Sequence, residues 1–336
     1  MARIKDVARR AGVSSATVSR VLAGKPHVRP ELRERVWKAV EELGYQPNRV
    51  ARSLRAQQSK IIGLVISDIQ NPFFTSVVRA VEDAAYERGF SVFLCNTDED
   101  PEKEKMYLDL MRAERVAGII VSPTREAGTP FQSVLDDDIP VVTLDRRALD
   151  VETDAVLIDN VGATYNIVSH LIADGHRRIG AVIGTSDITT GRERMAGFAR
   201  ALTAHGIEML PELVIQVLPK EQQGFEATER LLDLSNPPTA IFTGNNLLTI
   251  GALKSIHSRN LTIPDDIALA GFDEMRWSSL ISPGLTVVEQ PTYELGQAAA
   301  DLLLKRIDDP SRSIHEVILN ARLIVRQSCA HHNDSM

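Results

Sequence analysis

The chain has 336 residues, 43% of them hydrophobic and 25% charged, a length and balance that suit two or three globular domains. No apolar run approaches the roughly 18 residues of a membrane span, Met1-Ala2-Arg3-Ile4 lacks the apolar stretch of a secretory signal, and two distant cysteines, Cys95 and Cys329, fit a reducing cytoplasm better than a disulfide or zinc framework. The net charge of −7 is unevenly spread: residues 1–60 hold 14 Lys/Arg against 5 Asp/Glu, a net +9, and the rest carries −16, so a basic head on an acidic body points to a polyanion met by the head alone.

Ile4, Val7, Ala8 and Ala11 form one apolar face at helical spacing. Gly12 follows as a natural left-handed turn residue, and Ser14 is placed to cap a second helix. That helix turns Val18, Val21 and Leu22 inward and shows Ser15, Ala16, Ser19 and Arg20 on its other face. Two short helices joined through a glycine turn make a helix-turn-helix. A third helix starts at Pro30, is expected to bury Leu32, Val36, Val40 and Leu43, and ends at Gly44. Tyr45 to Ala56 then forms a short basic helix candidate, started by Pro47 and Asn48, that is marginal alone in water.

The run from Ile4 to Leu22 resembles the headpiece of the lactose/galactose repressor (LacI/GalR) family. The resemblance implies that Ser15, Ala16 and Arg20 face base edges in the major groove. The chemistry agrees, since Arg grips guanine through O6 and N7 and a short side chain meets a thymine methyl. Thr17 and Ser19 are expected to touch phosphate or cap the helix. Ala23 stands where the family often has Asn, which removes a candidate DNA contact. The same resemblance makes Asn48, Arg49, Arg52 and Leu54 part of a hinge helix that pairs in the minor groove, with Leu54 as the wedge that kinks the central base step.

Beyond residue 60, short apolar runs alternate with amphipathic helices. Residues 61–67, 91–96, 118–122 and 140–144 read as buried strands, with helices over 72–88, 101–115 and 130–138. The rhythm repeats with strands at 179–184, 214–218, 240–243 and 267–271 and helices at 161–174, 191–205, 222–234 and 246–259. This predicts two doubly wound parallel-sheet subdomains, with a ligand cleft between them beyond the strand ends.

The strand-end residues resemble those of periplasmic ribose-binding proteins and of the repressors that share their fold. The resemblance implies that Phe73 and Phe74 sandwich a sugar ring and that Asp145, Arg146, Arg194, Asn245, Asp273 and Gln290 bond its hydroxyls. Aromatic faces suit the C–H faces of a sugar, carboxylates accept from vicinal hydroxyls, and Arg donates in a fixed fork. Read singly, Asp145 and Arg146 equally suit a surface ion pair, Phe73 and Phe74 the core, Asp273 a loop cap, and Arg192 a solvated helix face. Ser122 replaces an Asn of ribose binders, and the turn near Pro219 lacks their aromatic residue. These changes, with two arginines, leave room for another monosaccharide or a sugar acid.

The expected architecture is an all-α helix-turn-helix headpiece plus an α/β, periplasmic-binding-protein-like core. The domains are a headpiece (1–46), a hinge (47–58), an N-subdomain (60–160 plus 291–318), a C-subdomain (161–289 plus 319–330) and a flexible tail (331–336) whose His331 and His332 lack metal spacing. No nucleotide, hydrolase or zinc-protease motif occurs, and the Gly184 to Gly191 loop is only a weak anion cradle. The reading is a cytoplasmic transcription regulator without catalytic residues, cofactor or metal. It is expected to be a homodimer, since no leucine heptad follows the core, and to bind pseudo-palindromic double-stranded operator DNA under control of a monosaccharide such as ribose or of a sugar acid. Its alternatives are a sugar kinase or isomerase with a DNA-binding head, and a regulator answering to a purine or a partner protein.

Overall fold

The computed structural model describes residues 2–22, 28–45 and 59–329. Contacts divide the chain into two compact units, residues 1–59 and 60–336. The Ala23 position, the hinge residues Asn48, Arg49, Arg52 and Leu54, and the tail 331–336 lie outside the described residues.

The first unit contains α1 (Ile4–Ala11), α2 (Ser15–Leu22) and α3 (Pro30–Glu42). Gly12 ends α1 at φ 61° and ψ 42°, a backbone state that a side chain adopts only with strain. Ser14 Oγ accepts the Thr17 amide at 3.1 Å and caps α2, satisfying one of the amides that a helix start leaves open. Val7, Ala8, Ala11, Val18, Val21, Val36 and Ala39 form the small core. α3 departs from its expected face. Val36 and Ala39 are buried, Leu32 and Val40 half-buried, and Leu43 is 37% exposed. The helix stops at Glu42, and the turn through Gly44 (φ 55°) brings Tyr45 against the core in place of Leu43.

The second unit holds two six-stranded sheets. The first contains β1 (Ile61–Ile66), β2 (Ser91–Asn96), β3 (Gly118–Val121), β4 (Val141–Leu144), β5 (Asp154–Ile158) and β11 (Glu316–Leu319), in the order β2-β1-β3-β4-β5-β11. The second contains β6 (Ile179–Gly184), β7 (Val214–Val217), β8 (Ala240–Thr243), β9 (Ala268–Phe272), β10 (Thr286–Glu289) and β12 (Arg322–Ile324), in the order β7-β6-β8-β9-β10-β12. The two orders are the same pattern repeated, with β11 parallel to β5 and β12 antiparallel to β10. Inner strands such as β3, β4 and β9 are buried throughout, as parallel strands covered on both faces must be.

The helices are α4 (Pro72–Glu87), α5 (Pro101–Ala113), α6 (Gln132–Leu135) and α11 (Thr292–Asp308) around the first sheet, and α7 (Asn160–Ala173), α8 (Thr189–Ala204), α9 (Glu221–Leu232) and α10 (Asn246–Ser258) around the second. The helix expected over 130–138 is a single turn, because Pro130 precedes it and Asp138 closes it at φ 57°. The chain passes between the lobes three times: after β5, after β10, and between β11 and β12. Gly191, in the first turn of α8, fixes how that helix approaches β6. A Cβ there would stand 2.2 Å from the Thr185 carbonyl oxygen and 2.6 Å from that of Gly184.

Candidate functional site

In the headpiece, Ala16 and Arg20 are exposed on α2, while Ser15, Thr17 and Ser19 are half-buried. The hydroxyls of Thr17 and Ser14 lie 2.9 Å apart, so Thr17 takes part in the cap. Val18 and Val21 face inward, at 0% and 2% exposure. α2 therefore presents one small apolar side chain and one guanidinium outward from a rigid apolar seat.

In the core, all eight sequence-predicted ligand residues line one cleft of about 560 Å³, counting its solvent-open mouth. Asp145 and Asp273 directly follow β4 and β9, neighbouring strands of β5 and β10 in the two matched sheets. Both take positive φ, 68° and 78°, and both anchor their amides alike: Asp145 N donates to Val156 O and Asp273 N to Val288 O, each at 2.9 Å. The repeated fold thus delivers two carboxylates in equivalent turns to the opposite sides of one cleft.

The phenylalanines depart from expectation. Phe73 and Phe74 both line the cleft, but their rings pack edge to face with centroids 4.9 Å apart at 90°. No ligand slot lies between them, so they cannot sandwich a ring. Asn71 caps α4 by accepting the Phe73 amide, and Pro72 starts the helix, which places both rings on the wall of the first lobe. The facing apolar surface comes from Ile188, Pro219 and Leu248 of the second lobe, residues that no sequence signal singles out as ligand-facing.

The polar groups are largely pre-positioned. Arg194 is buried: its Nε donates to Asn160 Oδ1 at 2.9 Å, its Nη1 to the Gly244 carbonyl, and its guanidinium lies 3.7 Å over the Phe272 ring. Burial pulls its pKa below the usual arginine value, with Asp273 and Asp145 opposing. Arg146 closes a two-pronged fork on Glu99, both bonds 2.7 Å, and donates to the Pro123 carbonyl at 3.0 Å. Asn245 spends its side-chain oxygen on the Leu248 amide, capping α10. Gln290 donates to Asp273 Oδ1, while its own oxygen is buried without a partner. Asp68, Asn71 and Glu99 also line the cleft, and Asn160 supports it by accepting from Arg194, although none of them is among the sequence-predicted ligand residues. Asn160 opens α7 just beyond β5, the same strand-end position that the predicted ligand residues share.

Burial also drives Asp145 up to about 6, against the pull of Arg146 and Arg194. Glu104 (2% exposed), whose carboxylate accepts the Thr124 amide at 2.7 Å, is pushed up by burial to about 7. A carboxyl raised in the folded state adds stability that is complete below its unfolded pKa and lost as pH rises through the folded value. For Glu104 the window runs from about 4.5 to about 7, and the loss is about 3 kcal/mol. Thermal melts of Glu104→Gln should accordingly show a flatter decline between pH 5 and 8 than wild type. Parallel curves would refute the assignment.

Contacts between the lobes flank the cleft. Lys220 Nζ, just after β7, reaches Asp68 and Asp98 of the first lobe at 2.6 Å each. Asn246 Nδ2 donates to Asn71 Oδ1 at 2.7 Å. Glu126 accepts from Thr189 at 2.7 Å and from Arg192 at 3.0 and 2.7 Å, so Arg192 clasps the lobes and is not simply solvated. Lys220→Met removes one clasp. Because Lys220 is partly exposed, the pair contributes about 1 kcal/mol, and stopped-flow titration should show about fivefold faster ligand release. An unchanged off-rate would show that the clasp does not gate the cleft.

A helix-turn-helix unit and a two-lobed cleft of strand-end carboxylates and arginines, in one chain, define a DNA-binding regulator with a periplasmic-binding-protein core. Residues 3–48 match the bacterial regulatory proteins of the lacI family, and residues 59–327 the periplasmic binding proteins and sugar-binding domain of that family; the chain belongs to the LacI family. It is 34% identical over 98% of both chains to the HTH-type transcriptional repressor PurR of Mannheimia succiniciproducens. It resembles the lac repressor dimer bound to operator and the anti-inducer ONPF, with a TM-score of 0.84 and 29% identity over 98% of this chain and 99% of that one. A LacI-family regulator from Enterococcus faecium with bound ribose aligns with a TM-score of 0.72 and 30% identity over 80% of this chain and 98% of that one. The chain is a DNA-binding transcriptional repressor and not an enzyme. Among the described residues no helix is long and apolar enough to cross a membrane, and no group of three or more His, Cys, Asp or Glu is arranged to hold a metal ion.

Proposed function

We propose that the protein is a homodimeric repressor of sugar-metabolism genes whose grip on a pseudo-palindromic operator is controlled by a monosaccharide or sugar acid bound in the core cleft. The observation that carries this reading is the pair Asp145 and Asp273, set in equivalent turns across the cleft. Two buried carboxylates, flanked by Arg194, Asn245 and Gln290, offer acceptors and donors spaced around a small ligand. Apolar groups from both lobes offer faces. A hydroxyl-rich ring with apolar C–H faces meets both demands, and a missing hydroxyl leaves a buried polar group unpaired. The ribose seen in the Enterococcus faecium relative supports the same class.

A purine is the competing effector, because full-length relatives carry the PurR name. Thermal-shift measurements with pentoses, hexoses, sugar acids, sugar phosphates and purines decide between them. A ligand at about 100 times its dissociation constant adds roughly 2.7 kcal/mol of stability. A shift with a monosaccharide or sugar acid supports the proposal, and a shift with purines alone overturns it.

At the DNA, the dimer places two α2 helices in major grooves about one helical turn apart, with Ser15, Ala16 and Arg20 toward base edges and Thr17 and Ser19 toward phosphate. Leu54 acts as the wedge at the minor groove between the half-sites, and Asn48, Arg49 and Arg52 contact the DNA beside it. Effector binding changes how the lobes clasp, with a coupling of about 1–3 kcal/mol on DNA affinity. Arg20→Ala is expected to erase preference at one operator position, worth about 1–3 kcal/mol, as read by binding to a randomised operator pool. An unaltered preference would remove Arg20 from base reading.

A further inference from the structure

The carboxylate of Glu99 occupies the forked face of Arg146, one of two guanidinium groups that line the cleft. Arg146 presents a planar fork whose two terminal nitrogens match a carboxylate or phosphate. In this chain both nitrogens are already taken by Glu99, at 2.7 Å each, and both side chains are 6% exposed. The turn that carries Glu99 is held in an uncommon conformation. Asp98 and Glu99 take consecutive positive φ values of 59° and 63°, a state that non-glycine residues keep only when their surroundings impose it. Those surroundings are visible: Glu99 N donates to Ser67 O at 3.0 Å, Lys220 holds Asp98, and Asp100 caps α5 through the Glu102 amide.

Among the described residues that line the cleft, carboxylates outnumber guanidinium groups. Asp68, Glu99, Asp145 and Asp273 line it together with Arg146 and Arg194. Lys220, which is bound to Asp68 and Asp98, adds the third positive charge nearby. Arg194 already serves two neutral oxygens and faces Asp145 and Asp273. Burial raises the cost of a charge on Glu99, but the Arg146 charge and hydrogen bonds more than offset it and keep the carboxyl below its usual range. An incoming carboxylate or phosphate would therefore meet an Arg146 fork whose two terminal nitrogens are already filled by Glu99, with the Nε of Arg146 turned toward Asp145 at 3.7 Å, and several negative charges.

We infer that Glu99 is a specificity-determining residue: by closing the Arg146 fork it restricts the cleft to uncharged ligands and rejects sugar acids and sugar phosphates. The inference rests on the proposed effector cleft and narrows its ligand class to neutral polyhydroxylated molecules.

The test uses the full-length protein and calorimetric titration with D-ribose, D-glucose, D-ribonate, D-gluconate and sodium sulfate. Wild type is expected to bind a neutral sugar and to ignore both aldonates and sulfate. Glu99→Gln frees one fork of a buried arginine and removes a negative charge within a few ångströms of it. Its affinity for aldonate or sulfate should rise about tenfold or more. Glu99→Asp keeps the charge and should still reject anions, which separates charge from packing. Wild type binding an aldonate as tightly as the matching sugar would overturn the inference without any variant. So would a folded Glu99→Gln that gains no anion affinity. If no sugar binds wild type yet Glu99→Gln gains sulfate, the effector class fails while the role of Glu99 stands.

Discussion

Arg194→Ala is expected to lower the unfolding free energy by about 3–5 kcal/mol, the scale of removing one partner from a buried charge cluster. The side chain is buried and carries four tasks. It satisfies Asn160 Oδ1, satisfies the Gly244 carbonyl, and covers the Phe272 ring. It also opposes the charges of Asp145 and Asp273. Arg146, with its Nε 3.7 Å from Asp145 Oδ2, stays as a counter-charge to that carboxylate, but its fork is held by Glu99 and it reaches none of the other groups that Arg194 serves. Asp145, already raised to about 6 by burial, moves higher in the variant. The deficit should therefore grow as pH rises from 5.5 to 8, because ionising Asp145 then costs more. Urea unfolding at both pH values measures it. A loss below 1 kcal/mol, or one independent of pH, would show that Arg194 does not act as a counter-charge to Asp145 and Asp273. Lysine should not rescue, since an ammonium cannot fork and stack at once.

Asp273→Asn is expected to move stability and ligand affinity in opposite directions. Asparagine tolerates the left-handed backbone at φ 78°, keeps an oxygen for the Asn246 amide, which donates to Asp273 at 3.2 Å, and offers its Nδ2 to the unpartnered oxygen of Gln290 once that amide turns over. It removes one of two like charges facing each other in a buried site, so Asp145 ionises more readily and the unliganded protein is at least as stable at pH 8. The ligand loses a charged acceptor worth about 1.5–3 kcal/mol, a drop of roughly 10–150-fold in affinity. Titration calorimetry with the bound sugar and melts of the free protein give both signs. A variant that is destabilised and binding-deficient together would point to a folding role instead.

The cleft was partly legible before folding. Apolar runs such as residues 179–184 and 240–243 keep their bounds in the structure, and the residues just beyond them converge because parallel sheets present their carboxyl ends on one side. Segments with weak local signals were not legible. β5 starts at the buried Asp154, which is tolerable only because Arg306 donates to it at 3.0 Å and His315 N at 2.8 Å from distant chain. β12 is a three-residue, half-exposed strand defined by its antiparallel pairing with β10. Neither the tilt of Phe73 against Phe74 nor the capture of Arg146 by Glu99, 47 residues away in sequence, leaves a local pattern.

By itself the sequence determined the periodic elements of the two matched lobes, the glycine turn and serine cap of the headpiece, and the residue types at the strand ends. Period, capping and strand-end chemistry are local properties, written within a few neighbouring positions. The tertiary structure alone decided which side chains are already spoken for: Arg146 by Glu99, Arg194 by Asn160 and Gly244, Asn245 by its own helix, and Lys220 by two carboxylates of the other lobe. Those pairings follow from burial. A charge taken out of water must find its partner wherever the fold places one, and that partner lies at a sequence distance no local pattern encodes.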